Sequence, residues 1–398
     1  MSHHDLARRL PAPETETLQL GFMRLTDSAP LILAQEAGLF HDFGLDVHLV
    51  REVSWANLRD KLAIGQLDAA QLLAPLPFSA ALGVGGIRAE LLTGLSLSLN
   101  GNALTLSTLL WEQLAIPQRA QLPDAIAAAR ALAQHIRTHK TVPVLATVHL
   151  FSMHTFLLRL WLQAGGIDPD HDIRLIVLPP EQMCDSLARG NIDGFCVGEP
   201  WSSVAVAQGI GTVVSSGYQI WNNAPEKVLA VSSSWHQQHP VTHLRLRLAI
   251  MIAARKLLDV EQRLAMAEIM AHAKYLDLPA RTLLPSLSGH YRFHKTGKPV
   301  AVPDFHVFAS YQAGFPWRSH AEWMIKQIGQ LSGKPVSAEL SASLSRQAYR
   351  TDLYREAAAY LEEAAPAVDY KVENTHTHAW NPTKDIRLGA NRMISNGA

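Results

Sequence analysis

Three points in this 398-residue chain place hydrogen-bond donors at the start of a helix, and together they could hold a small anion. Thr26, Asp27 and Ser28 precede the run PLILAQEAGLF, in which Pro30 suits a first helical turn. Trp55 heads WANLRDKLA, and His154 heads HTFLLRLWL. The first turn of a helix leaves its amides unpaired, so such entrances bind anions with little reorganisation. The indole of Trp55 adds a ring face and one N–H donor, although a tryptophan there also serves as a packing staple. His154 can donate a hydrogen bond with a charge set by its surroundings; a helix cap is its plainer role. Lys227, in PEKVL, is the natural counter-charge, while a lysine beside a strand is ordinarily solvated. Gly101 and Asn102 form either a tight turn or a pair of backbone and amide donors where the chain crosses between lobes. Gln71 and Glu199 end two similar strands, and Glu199 is expected either to pair with Lys227 or His154 or to be a buried structural carboxylate.

The elements that carry these residues follow from spacing. LQLGFMRL reads as a strand, the Pro30 run as a helix, and LDVHLVREV as an alternating strand. In SWANLRDKLAIGQLDAAQLLAP an apolar stripe of Leu58, Leu62 and Ile64 predicts a helix stopped by Gly65, followed by a strand of small apolar residues that ends at Pro75. The same order of helix, glycine, short strand and proline returns in MCDSLARGNIDGFCVGEP, at Gly190 and Pro200, which predicts two similar lobes. Strands alternating with helices indicate an α/β protein. The expected organisation is a flexible lead over 1–16, lobe I from 17–104, lobe II over 105–221, a return to lobe I with a helical C-terminal part over 222–365, and a wrapping or loose tail over 366–398.

Composition excludes several classes. Lys and Arg total 35 against 35 Asp and Glu, so there is no electrostatic footprint for direct nucleic-acid binding. Two cysteines, Cys184 and Cys196, are too few for a disulfide framework and are expected to be reduced and buried. They lie in no CxxC pair or nucleophile setting, and no phosphate loop or Gly-x-Ser-x-Gly elbow is present, so the chain is not read as an enzyme and no cofactor is expected. His149 and His154 are five apart, which does not align two metal ligands on one helical face, and no metal is expected. The N-terminal stretch has no apolar core of a secretory signal, and no run reaches the ~20 apolar residues of a membrane span. The expected location is cytoplasmic, without membrane association.

The ordered blocks LGFMRLTDSAPLILAQEAGLFHDFGLDV, SWANLRDKLAIGQLDAAQLLAPLP, NGNALTLS, MHTFLLRLWLQAGGIDP, IDGFCVGEPW and APEKVLAVSSSW resemble the nitrate- and bicarbonate-binding proteins of the NrtA and CmpA type, over most of residues 18–325. The resemblance implies a two-lobed, type II periplasmic-binding-protein-like α/β fold with an anion in the cleft. It implies that Trp55 and Lys227 contact nitrate or nitrite, whereas the bicarbonate binders carry an acidic group that ligates calcium in the region of Lys227. The family's side-chain amide after the Gly101 position is replaced here by Thr105 and Thr108. Lacking an export signal, the chain looks most like the cytoplasmic NasS-type nitrate/nitrite sensors, which implies a NasT-like ANTAR-domain RNA-binding antiterminator as partner. The alternatives are the solute-binding subunit of a nitrate/nitrite ABC transporter and, at greater distance, an enzyme like the thiamin-pathway pyrimidine synthases, whose cysteine-rich pattern is missing.

Overall fold

The computed structural model describes residues 3–114, 116 and 121–395. Residues 1–2, 115, 117–120 and 396–398, parts of the expected lead, second lobe and tail, lie outside the described residues. Thirteen strands build the framework around the site: β1 (Thr17–Met23), β2 (Asp46–Glu52), β3 (Ala69–Leu73), β4 (Leu91–Asn100), β5 (Asn102–Ser107), β6 (Val144–Thr147), β7 (Arg174–Val177), β8 (Gly194–Gly198), β9 (Gly211–Ser216), β10 (Pro225–Ser232), β11 (His290–Tyr291), β12 (Val300–Ala301) and β13 (His306–Val307). One sheet runs β2-β1-β3-β10-β4-β13 and the other β7-β6-β8-β5-β9. In each sheet parallel neighbours adjoin an antiparallel strand that has just crossed from the other lobe, β10 in the first and β5 in the second.

The repeat seen in the sequence therefore has a structural counterpart. The helix Trp55–Ala63 leads to Gly65, which takes a left-handed φ of 76°, and then to β3; Met183–Ala188 leads to Gly190, at φ 70°, and then to β8. Both strands are buried throughout, and both end where the lobes face each other. Glycine at each stop avoids the steric cost that a Cβ meets at positive φ. Among the described residues no helix is long and apolar enough to cross a membrane.

The lobes are joined at Asn100–Gly101 and again through residues 217–224, so the first crossing precedes Asn102 instead of following residue 104. Asn100, itself at φ 60°, ties the crossings together. Its Nδ2 donates to Asn223 Oδ1 at 3.3 Å, and its Oδ1 accepts from the Ala224 N–H at 3.1 Å. Gly101 has φ 91°, and a Cβ placed on it would stand 2.3 Å from the His306 ring. Gly101→Ala is accordingly expected to cost about 1–3 kcal/mol from backbone strain alone, plus the displacement of His306, and to lower the melting temperature. An unchanged melting temperature would show that the crossing tolerates a side chain.

One terminal expectation is revised, and the other is resolved between its two alternatives. The lead is not loose: His3–Arg9 is a helix whose Leu6 and Ala7 are buried together with Leu10. The Arg245 guanidinium donates to the carbonyls of Ala7, Leu10 and Pro11, satisfying groups that a helix end leaves unpaired. Glu14 then accepts from the N–H groups of Val241 and Thr242. At the other end the tail wraps. Ile386, Leu388 and Asn391 are buried, and the Asn222 N–H donates to Arg392 O at 2.9 Å beside the second crossing. The order of the lead and the wrapping of the tail both arise because long-range partners, absent from a local reading, satisfy the polar backbone of these segments.

Candidate anion site between the lobes

The polar residues that meet between the lobes lie inside the protein: Trp55, Gln71, Asp27, His154 and Lys227 are each 0% exposed, and Asn102 and Glu226 1%. Such burial demands partners for every charge, and the partners are specific. Lys227 Nζ donates to Glu226 Oε1 at 2.6 Å and stands 2.8 Å from Asp27 Oδ2. It also lies 5.2 Å from the centre of the Trp55 ring, within range of a cation–π contact. Gln71 Nε2 donates to Asp27 Oδ1 at 2.6 Å, while Gln71 Oε1 accepts from the Met23 N–H. Glu226 reaches across to lobe II, where Asn102 Nδ2 donates to its Oε2 at 2.7 Å. His154 Nε2 is 3.0 Å from Glu226 Oε1, close enough for an ion pair although off line for a full hydrogen bond.

Local structure explains why adjacent residues 226 and 227 share one site. In a regular strand they would point to opposite faces. Here the pairing of β10 with β4 slips on both sides of Lys227, placing it opposite Ser98. A bulge of this kind re-aims a side chain. The helix entrances contribute as well: Ser54 caps the Trp55 helix by accepting from the Asn57 N–H, and Ser152 caps the His154 helix by accepting from the Thr155 N–H. These caps hold Trp55 and His154 in the first turns, facing the cleft from opposite lobes.

The charges are shifted by this enclosure. Burial raises the Asp27 carboxyl above its ordinary range, and the nearby Lys227 only partly offsets it. Burial also acts to raise Glu226, but Lys227 and then His154 outweigh it and hold that carboxyl at about 2. Lys227 loses from burial and gains more from Asp27 and Glu226, so its pKa is raised. Trp55 Nε1, His154 Nδ1 and Ser98 Oγ are buried without a hydrogen-bond partner among the described residues. Trp55 lies against Lys227, Ser98 is its strand partner and His154 adjoins its neighbour Glu226, and unpartnered polar groups gathered beside an ammonium are suited to an oxyanion.

Of the residues expected from the sequence, Trp55, Gln71, Asn102, His154 and Lys227 meet in this cluster. Gly101 contributes by leaving room for the His306 ring, whose Nε2 is 2.8 Å from Thr26 Oγ1. Thr105 does not join them, because it faces the interior of lobe II, with its methyl 2.6 Å from where a Cβ on Gly211 would stand. Glu199 is also placed elsewhere: its carboxylate accepts from the Tyr291 hydroxyl and the Ser203 N–H, and it pairs with neither Lys227 nor His154. Burial pushes Glu199 up to about 7 against those hydrogen bonds. Its backbone still stitches the lobes, with Glu199 O accepting from the Thr26 N–H at 2.8 Å and Glu199 N–H donating to Gly101 O at 3.0 Å.

The carboxylates of Asp27 and Glu226 are the members that sequence reasoning missed. A signal for Glu226 was present, since an acidic and a basic residue side by side in the otherwise apolar PEKVLAV imply a buried pair. At the rim of the cleft, Arg24 of lobe I donates to Glu181 of lobe II at 2.7 Å, and Phe151 packs against Gly85. His149 sits beside them, lowered to about 4 by burial and by Arg59, and accepts from the Phe151 N–H. Cys184 and Cys196 are buried free thiols whose pKa burial raises, Cys184 to about 12, which leaves them poor nucleophiles.

Comparison with known proteins places this geometry. Residues 11–271 match the model of the NMT1-like family. The nitrate import ATP-binding protein NrtC of Synechocystis sp. is 37% identical over 87% of this chain, which spans 51% of that relative, about half its length. The nitrate/nitrite binding protein NrtA of Synechococcus elongatus is 32% identical over 90% of this chain and 81% of its own. The crystal structure of the periplasmic nitrate-binding protein NrtA from Synechocystis PCC 6803 superposes with a TM-score of 0.83 at 28% identity, covering 91% of this chain and 94% of that one. A two-lobed α/β fold with its polar cluster between the lobes, matched over this length, makes the chain a member of the NMT1-like family, among its NrtA/CmpA-type binding proteins.

Proposed function

We propose that the chain captures nitrate or nitrite between its lobes and acts as a solute-binding component of an uptake system. The observation that carries this reading is Lys227, enclosed beneath Trp55 and opposite His154, with unpartnered buried donors around it. Nitrate is flat, singly charged and weakly hydrated, so it gives up water readily to such donors and needs no proton acceptor. Asp27 and Glu226 are already engaged by Lys227, which disfavours a calcium-assisted site of the bicarbonate kind. Of the relatives described above, NrtC is named for nitrate import and NrtA for nitrate and nitrite binding, in one case periplasmic. They support this role, weighed from the sequence as the alternative, over a sensor acting on an ANTAR-domain antiterminator.

Calorimetric titration tests it directly. Nitrate or nitrite is expected to bind one per chain, and bicarbonate with calcium is expected to give no saturable heat. Saturation by bicarbonate alone, with no response to either nitrogen oxyanion, would reverse the assignment.

A further inference from the structure

The proposed anion faces a charge problem that the cluster itself resolves. Lys227 supplies one positive charge, while Asp27 and Glu226 together supply two negative ones when ionised. With a neutral imidazole at His154 the enclosed group is net negative, and a further anion would be added to a region removed from water. In such surroundings uncompensated charge is far more costly than at a surface.

His154 shows a second side of the same problem. Its Nε2 is 3.0 Å from a Glu226 carboxylate oxygen, so that nitrogen carries the hydrogen, since two bare acceptors would repel. In the neutral ring Nδ1 is then an acceptor, yet Nδ1 is buried with no partner among the described residues. It can donate to an oxyanion only in the doubly protonated ring. Asp27 offers the other place for a proton, because burial favours its neutral form.

We propose that a proton is a co-ligand of the anion in this cleft, taken up by the Asp27–Lys227–Glu226–His154 cluster as the anion is enclosed. The inference rests on the reading of the site as a nitrate or nitrite site. One added proton brings the protein groups to neutrality, so the complex carries only the anion's own charge. The proton belongs to the group as a whole, because titrations coupled this closely are shared. The other ionisable groups facing the cluster do not supply it. From β13, His306 is lowered to about 3 by burial and by Arg263 behind it, and from β8 the Cys196 thiol is raised by burial. Nitrate itself does not protonate near neutral pH, so any proton counted must enter the protein.

The test is calorimetry of the whole protein with sodium nitrate near pH 8, in phosphate and in Tris, whose ionisation enthalpies differ widely. The expected result is uptake of about one proton per nitrate, with Kd weakening about tenfold per pH unit on the alkaline side. Asp27→Asn removes one negative charge and is expected to bind nitrate with no proton uptake and a flat pH profile. Nitrate binding to the wild-type protein with zero proton uptake and a constant Kd from about pH 6 to about pH 9 overturns the coupling while leaving the anion site intact. Absence of nitrate and nitrite binding at every pH overturns the site and the coupling together. Should the variant fail to fold, the wild-type proton count still decides.

Discussion

Lys227→Ala is expected to lower the folding free energy by about 3–5 kcal/mol and to abolish nitrate binding. The ammonium has no access to solvent and, among the described residues, is the one cation recorded against both Asp27 and Glu226, His154 reaching Glu226 alone. Removing it leaves two enclosed carboxylates facing each other, a far greater loss than that of a surface ion pair. Chemical denaturation measures the stability term and calorimetry the binding term. The two effects separate in a triple variant, Lys227→Met with Asp27→Asn and Glu226→Gln. Neutral side chains of similar size should recover most of the stability, because a buried ion pair and a well-packed neutral replacement differ little. Nitrate binding should stay absent, since the counter-charge is gone. A stability loss below about 1 kcal/mol for Lys227→Ala would mean that the ammonium is effectively solvated, and the enclosed-cluster description would fail.

Trp55→Ala should come next in size. The ring is completely buried at the head of its helix, and truncating such a side chain typically costs about 3–5 kcal/mol through lost burial and the cavity left behind. Here it also strips the ring face from Lys227 and the Nε1 donor from the cleft. Trp55→Phe distinguishes packing from recognition: it retains much of the apolar volume and a ring for the ammonium, but no N–H. Its folding stability should lie close to that of the parent, with nitrate affinity reduced. Equal affinity in Trp55→Phe and the parent protein would remove the indole N–H from the set of ligand donors and reduce Trp55 to the staple that its position at a helix start also allows.

How much of this site can be read without coordinates depends on the range of the interactions. Helix entrances and stops are local. Ser54 and Ser152 cap the turns that begin at Trp55 and Met153, and Gly65 and Gly190 end matching helices at left-handed φ, so spacing alone placed Trp55 and His154 at entrances and revealed the repeated lobe. Glu226 was hidden by a rule that is usually sound: strand alternation sends neighbours 226 and 227 to opposite faces, and only the bulge against β4 brings them together. Asp27 is visible in the sequence as a cap, but nothing nearby says that Lys227, two hundred residues on, will make its side chain a counter-ion. For Glu199 the structure decides between the two alternatives: its strand ends at the cleft as expected, but its carboxylate is the buried structural one, turned to Tyr291 on a hairpin whose approach no local pattern foretells.

What the sequence determined by itself was therefore the alternation of strands and helices, the twin lobes, the chain positions of the helix entrances and the family these blocks resemble, because each is written in spacings of a few residues. The tertiary structure alone decided which charges neutralise one another. That depends on distances between residues far apart in the chain and on the exclusion of water, which makes an ion pair at 2.8 Å decisive where the same two residues in solvent would barely interact.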